Sequence, residues 1–169
     1  GVRSAKANDE HPVEHAVRDA DVVVLSVPWS AVESVLAGAG DLGGKVLIDA
    51  TNPIREDFGG LSIGTTDSAG EAVARWAPTA RVVKAFNTIG FNIMQNPAFG
   101  EVASSLLIAG DDADAKQTVA SLAKDLGFDP VDAGPLEQSR GLEALAWLWI
   151  SMAIKYGHGR EIAFVLHKR

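Results

Sequence analysis

A chain of 169 residues can bury one substantial core, and its 47% hydrophobic and 22% charged residues are ordinary for a soluble globular protein. A net charge of −7 argues against a nucleic-acid surface, which needs clustered Lys and Arg. With no cysteine, disulfides and thiolate metal sites are excluded, and the composition fits a reducing, cytoplasmic setting.

No signal peptide is visible at the start, which opens at Gly1 rather than Met. His11 and His15 stand four apart, a spacing that suits a metal on a helix. Pro12 marks a helix start between them and no third ligand is near, so a surface helix is the reading. The runs "DVVVLSV" (21–27), "KVLIDA" (45–50) and "RVVKAFN" (81–87) are continuously apolar, as in parallel strands covered on both faces. Lys84 interrupts the third; its stem is expected to pack while its ammonium reaches solvent. "SAGEAVARWA" (68–77) opens with Ser68 and has Glu71 three residues on, a capping box at a helix start.

"SSLLIAG" (104–110) and "FDPVDA" (128–133) read as two further strands. The helix between them, 112–126, is expected to bury Ala115, Val119, Leu122 and Leu126, with Asp111 or Asp112 as cap and Gly127 as stop. Glu56-Asp57 and Asp111-Asp112 read as turns and caps. After Gly134-Pro135 one long helix is predicted from Glu137 to Tyr156. Its apolar stripe is Leu142, Leu145, Ala146, Trp149, Ile150 and Ala153, while Trp147 and Leu148 fall off it. A helix apolar on two sides needs a second covering surface, which predicts a homodimer with Trp147, Leu148 and Trp149 in the seam. The longest apolar stretch, Ala144 to Ile154, is far shorter than the roughly 20 residues a membrane span needs, so no membrane partner is expected. His158, between two glycines, reads as a loop residue.

Strand–helix alternation predicts an α/β, doubly wound, Rossmann-like and mostly parallel sheet. Ligands in such sheets bind beyond the carboxyl ends of the strands. Those ends carry Ser26, Val27, Pro28 and Trp29; Thr51, Asn52 and Pro53; and Asn87 and Thr88, all short of a nucleophile–base pair. Aligned ends of this composition predict a binding crevice rather than a hydrolytic site.

The stretches "VVVLSVPW", "LIDATNP", "VVKAFNTIG" and "DAGPLEQSRGLEAL", in this order and spacing, resemble the coenzyme F-420-dependent NADP oxidoreductase family, the NADPH:deazaflavin reductases. The same pattern recurs in the nucleotide domain of the six-transmembrane metalloreductases. The resemblance implies an NADP-binding Rossmann domain over 1–133 and a C-terminal helical segment over 134–169 that forms an interface. It implies that hydride passes between NADP(H) and a deazaflavin co-substrate by positioning alone, with no catalytic acid or base and no metal. Arg3, Ser4 and Lys6 would meet the adenosine 2′-phosphate, where a cation suits a phosphate. Ser26 to Trp29 would follow the ribose and pyrophosphate, and Asn52, Pro53, Asn87 and Thr88 would border the nicotinamide, with Asn87 mattering most to turnover. The family's first strand and its G-x-G-x-x-G turn would precede Gly1 and are absent from this sequence, so the chain as given is expected to bind nucleotide weakly. Lys84 and Asn87 stand closer to the metalloreductase pattern. Another acceptor (a flavin, a ferric chelate or an imine) and a non-catalytic NADP-binding module are the alternatives.

Overall fold

The computed structural model describes residues 12–169. Helix α1 (Pro12–Val17) leads into three parallel strands, β1 (Val22–Leu25), β2 (Val46–Asp49) and β3 (Arg81–Lys84). Val22 lies beside Val46, and Val46 beside Arg81. Helix α2 (Val32–Ala39) crosses from β1 to β2, and α3 (Ala69–Trp76) from β2 to β3. β2 is buried at every position, as its unbroken apolar run requires of a strand covered on both faces.

The two faces follow the period of two. Val46, Ile48 and Val83 point into a core completed by Leu106, Ile108, Ala115, Val119 and Ala123. Leu47 and Val82 point the other way, against Leu25, Val32, Leu36, Val73 and Leu136. Val24 departs from the expectation of cover on both sides, standing 59% exposed. On that face the described residues cover β2 and β3 more fully than β1.

Beyond β3 the chain makes only the short helix α4 (Phe91–Gln95) and a hairpin of β4 (Ala98–Phe99) with β5 (Val102–Ala103). None of this carries the chain back to the start of β3. The next strand, β6 (Ser105–Gly110), therefore runs antiparallel to β3, with Val83 opposite Gly110 and Lys84 opposite Ala109. Helix α5 (Ala113–Asp125) then returns the chain for β7 (Asp129–Gly134), parallel to β6. The sheet order is β1-β2-β3-β6-β7, mostly parallel as expected.

Helix α5 starts where Asp112 accepts the Ala115 N–H and stops at Gly127, whose φ of 89° suits glycine. Its buried row is Ala115, Val119 and Ala123, while Leu122 and Leu126 are 38% and 51% exposed. This corrects the expected stripe. Ala115, Val119 and Ala123, four apart in turn, are buried, and the larger leucines stand outside.

The long C-terminal helix is present: a 3-10 turn at Leu136–Gln138, α6 (Ser139–Ile150), and a widened π turn at Ser151–Lys155. Its buried face is Ser139, Leu142, Glu143, Ala146, Trp149 and Ala153. Trp149 packs inside the chain against Gly90 and donates Nε1–H to the Ile162 carbonyl. It is thus absorbed by the monomer, whereas Leu148 is 48% exposed. The tail then passes the start of β6, where Ser105 N–H donates to the Phe164 carbonyl. Among the described residues no helix is long and apolar enough to cross a membrane.

Candidate functional site

The strand ends converge as the sequence indicates. After Leu25 the backbone leaves β1 through Ser26, Val27 and Pro28, then turns at Trp29–Ala31 to start α2. Trp29 is set by a tilted contact with Trp76, ring centres 5.5 Å apart.

At the end of β2, Asp49 accepts from both the N–H and the hydroxyl of Thr51, at 2.9 and 2.7 Å. That local turn fixes the backbone entering Asn52. Asn52 and Asn87 then join two strand ends: Asn52 Nδ2 donates to the Asn87 carbonyl (2.8 Å), and Asn87 Nδ2 donates to Asn52 Oδ1 (3.0 Å). Asn87 Oδ1 is buried and has no hydrogen-bond partner among the described residues. A buried amide oxygen left without a donor is costly unless a ligand or water supplies one.

The abrupt end of β3 has a backbone cause. Phe86 takes a φ of 65°, left-handed and unusual for a residue with a side chain. Its ring is held edge-on against Phe128, centres 6.1 Å apart. This bend carries the chain off the sheet and turns Asn87 towards Asn52. Thr88 is buried beside it.

Ser26, Val27, Pro28, Trp29, Ser30, Ala50, Thr51 and Asn52 line one wall of a cavity of about 870 Å³. Asn87 and Thr88 are not on this wall; Asn87 reaches it through Asn52. Pro53 is buried, and its carbonyl accepts the Ser62 N–H and hydroxyl. Those bonds close a loop, 54–62, that also lines the cavity through Ile54, Arg55, Glu56, Asp57, Phe58 and Ser62. Asp57 caps the loop's turn, accepting the Gly59 N–H. That bond, more than the Arg55 guanidinium, holds its carboxyl below the usual range. Arg3, Ser4 and Lys6, like His11, lie outside the described residues. Among those described no group of His, Cys, Asp and Glu is arranged to hold a metal. His158 stands exposed in a loop.

Lys84 corrects the sequence expectation. Its ammonium does not reach solvent; the residue is completely buried. It donates to Asp49 (2.9 Å), the Thr51 carbonyl (2.7 Å) and Glu143 (2.8 Å). Glu143, on α6, also accepts the Ala69 and Gly70 N–H groups, the first free donors of α3. With all three ammonium protons used, burying the charge is compensated. The sequence held a signal for this. Lys84 sits within an apolar strand, Asp49 ends another, and Glu143 falls on the buried face of an otherwise apolar helix.

The model of the family described as NADP oxidoreductase, coenzyme F420-dependent, matches residues 3–53. A crystal structure from Arthrobacter sp. FB24, assigned to the F420-dependent NADP-reductases, superposes with a TM-score of 0.86. It is 32% identical, over 93% of this chain and 73% of that one. The chain belongs to the coenzyme F420-dependent NADP oxidoreductase family. Another member, the F420-dependent NADP reductase of Methanothermobacter marburgensis, is 36% identical over 83% of this chain and 66% of its own length. Metalloreductase STEAP3 of Rattus norvegicus is 35% identical over 78% of this chain but only 26% of its length. The chain therefore spans about a quarter of the metalloreductase and just under two thirds of the archaeal family member.

Proposed function

We propose that this chain serves an NADPH-dependent oxidoreductase that transfers hydride between NADP(H) and a deazaflavin of the coenzyme F420 type. Its family relatives include F420-dependent NADP reductases. The observation that carries the reading is the joining of two strand ends through Asn52 and Asn87, behind a cavity built on the ends of β1 and β2. The unpartnered Asn87 Oδ1 fits a ligand with N–H or O–H donors, which a nicotinamide carboxamide has.

In this reading Ser26 to Trp29 hold the ribose and pyrophosphate side of the cofactor, and Asn52, Pro53, Asn87 and Thr88 border its nicotinamide. Arg3, Ser4 and Lys6 meet the 2′-phosphate. Bound NADPH supplies a hydride to the acceptor, which takes up one proton from solvent and leaves NADP⁺. The protein's own contribution is to orient the ring and keep the crevice dry, so no side chain needs to exchange a proton. Residues 1–133 act as the cofactor-binding domain and 134–169 as an interface of a homodimer, with Leu148 and Trp147 on its surface. The enzyme works in the cytoplasm.

The likeness to a metalloreductase, including the "KAFNT" stretch, favours one second reading, in which the electrons go to a flavin or a ferric chelate. Mixing the protein with NADPH and each acceptor, and following NADPH absorbance, separates the two. Oxidation with a deazaflavin, and not with flavin or chelate, is expected. Arg3→Ala should weaken NADPH and spare NADH, since charge-assisted hydrogen bonds contribute about 1.5–3 kcal/mol each. Equal loss for both nucleotides overturns the 2′-phosphate assignment.

A further inference from the structure

The loop at 54–62 is built more elaborately than a connection from β2 to α3 needs. Ile54 bridges Leu61, Arg55 N–H donates to the Gly60 carbonyl, and Phe58 N–H donates to the Arg55 carbonyl. Within this frame Phe58 takes a φ of 51°, and its side chain remains 56% exposed on the cavity. A left-handed backbone at a phenylalanine is strained, and an exposed aromatic ring leaves apolar surface in water. Neither serves the core.

The loop is also tied from a distance. Lys155, at the C-terminal end of the long helix, donates Nζ–H to the Phe58 carbonyl at 2.8 Å. The same ammonium lies 4.6 Å from the centre of the Trp147 ring, which fixes its direction. The Phe58 backbone is thus held at both its polar groups: its N–H by the turn beneath it and its carbonyl by a cation from another element.

The strand-end wall, Ser26 to Trp29 with Asn52, lines the same cavity as this loop. Under the proposed function, on which this step rests, the nicotinamide lies on the strand-end wall. Hydride transfer needs donor and acceptor atoms about 3–3.5 Å apart, so the acceptor must share this cavity with the nicotinamide, within reach of the loop that also lines it. A volume of about 870 Å³ lies within the range of ligand clefts, roughly 300–1,000 Å³. We propose that Phe58 is the residue that packs against the acceptor and selects a planar aromatic ring system over a ferric chelate or an alkyl imine. Lys155 is a positioning residue that acts through Phe58.

The test uses the complete natural protein and a deazaflavin chromophore, titrated by fluorescence quenching in the presence of NADP⁺, with NADPH turnover measured beside it. Phe58→Ala should weaken deazaflavin binding about tenfold, leave the NADPH KM within twofold, and leave the melting temperature unchanged. Phe58→Trp should restore binding, and Lys155→Met should weaken it by a smaller factor. Deazaflavin binding unchanged in Phe58→Ala, or no binding by the unsubstituted protein, overturns the role given to Phe58. So does an equal rise in KM for a ferric chelate. Binding that depends on Phe58 without any NADPH oxidation overturns the proposed function and leaves the ring-packing role standing.

Discussion

The Lys84 ammonium lies 2.8 Å from the Glu143 carboxylate, joining the third strand to the last helix through two side chains that meet no solvent. Asp49 completes the group at 2.9 Å from the same ammonium. Two carboxylates thus share one cation, and the first N–H groups of α3 offset the excess negative charge. Removing one partner from a buried pair costs about 3–5 kcal/mol, because the survivor stays buried and uncompensated. Lys84→Met should therefore destabilise strongly in denaturant unfolding, and Glu143→Gln less, since its amide oxygen still accepts an N–H. The double variant should be more stable than the sum of the singles by about 0.5–3 kcal/mol. Strict additivity would show that the pair does not act as a unit.

A second clasp between the same helices titrates. Arg140 donates to both oxygens of Glu71, Nε at 2.9 Å and Nη2 at 2.6 Å, and these bonds hold the Glu71 carboxyl below its ordinary range against the opposing effect of burial. With the folded value below the unfolded one of about 4.3, the stabilisation is complete above that value and is lost as pH falls through the folded value. At neutral pH Glu71→Gln should melt lower than the unsubstituted protein, and the two melting curves should converge as the pH drops below about 4. A gap that stays constant through this range would count against the clasp.

What the sequence made legible was local. Ser68 caps α3 as read, its Oγ accepting the Glu71 N–H, but the Glu71 carboxylate takes the Ser68 hydroxyl and so does not close the box on the Ser68 N–H. The unbroken run at 46–49 is a strand buried at every position, and Gly127 ends α5. Patterns of this kind report which residues face inward, because period and burial are tied within one element. They do not report the direction of a strand, and β6 reads the same parallel or antiparallel. Direction came from the short connection after β3, which has no helix long enough to return the chain. Glu143 and Lys84 were legible only in part for a related reason: each stands out as polar in an apolar run, but burial depends on a partner 59 residues away in the chain. The Phe58 loop carries no periodic signal, and its shape is set by Asp57, Ser62 and the distant Lys155.

Gly90 is constrained by a neighbour and not by its own backbone. Its φ of −67° suits any residue, yet an added Cβ would come within 2.7 Å of the Trp149 ring and 2.9 Å of Asn92 Oδ1. Trp149 has little room to give, because its Nε1–H is committed to the Ile162 carbonyl at 2.8 Å. Overpacking of this kind costs about 1–3 kcal/mol. Gly90→Ala should lower the melting temperature, and Trp149→Phe should recover part of the loss in the Gly90→Ala background. Gly90→Ala as stable as the parent would mean that α6 shifts freely.

Asn87 separates folding from function. Its Nδ2 bond to Asn52 is a single part-buried hydrogen bond of 3.0 Å, so losing it should cost about 1 kcal/mol. Its Oδ1 makes no hydrogen bond within the fold among the described residues. If the nicotinamide lies against it, Asn87→Ala loses a contact to the reacting ring and one of the two bonds that hold Asn52, the other being to the Asn87 backbone carbonyl. A misplacement of about 1 Å can slow a reaction on the order of 100-fold. Turnover with NADPH and a deazaflavin should fall about 10- to 100-fold in Asn87→Ala while the melting temperature drops only a few degrees. Asn87→Asp should be equally slow, since it retains an acceptor but loses the donor that fixes Asn52. The left-handed bend at Phe86 predicts the same split. That strain turns Asn87 towards Asn52, whose side chain lines the cavity, and serves no core contact that Asn87 itself makes. A large stability loss with an unchanged rate would make Asn87 a structural turn residue and detach the Asn52–Asn87 pair from the chemistry.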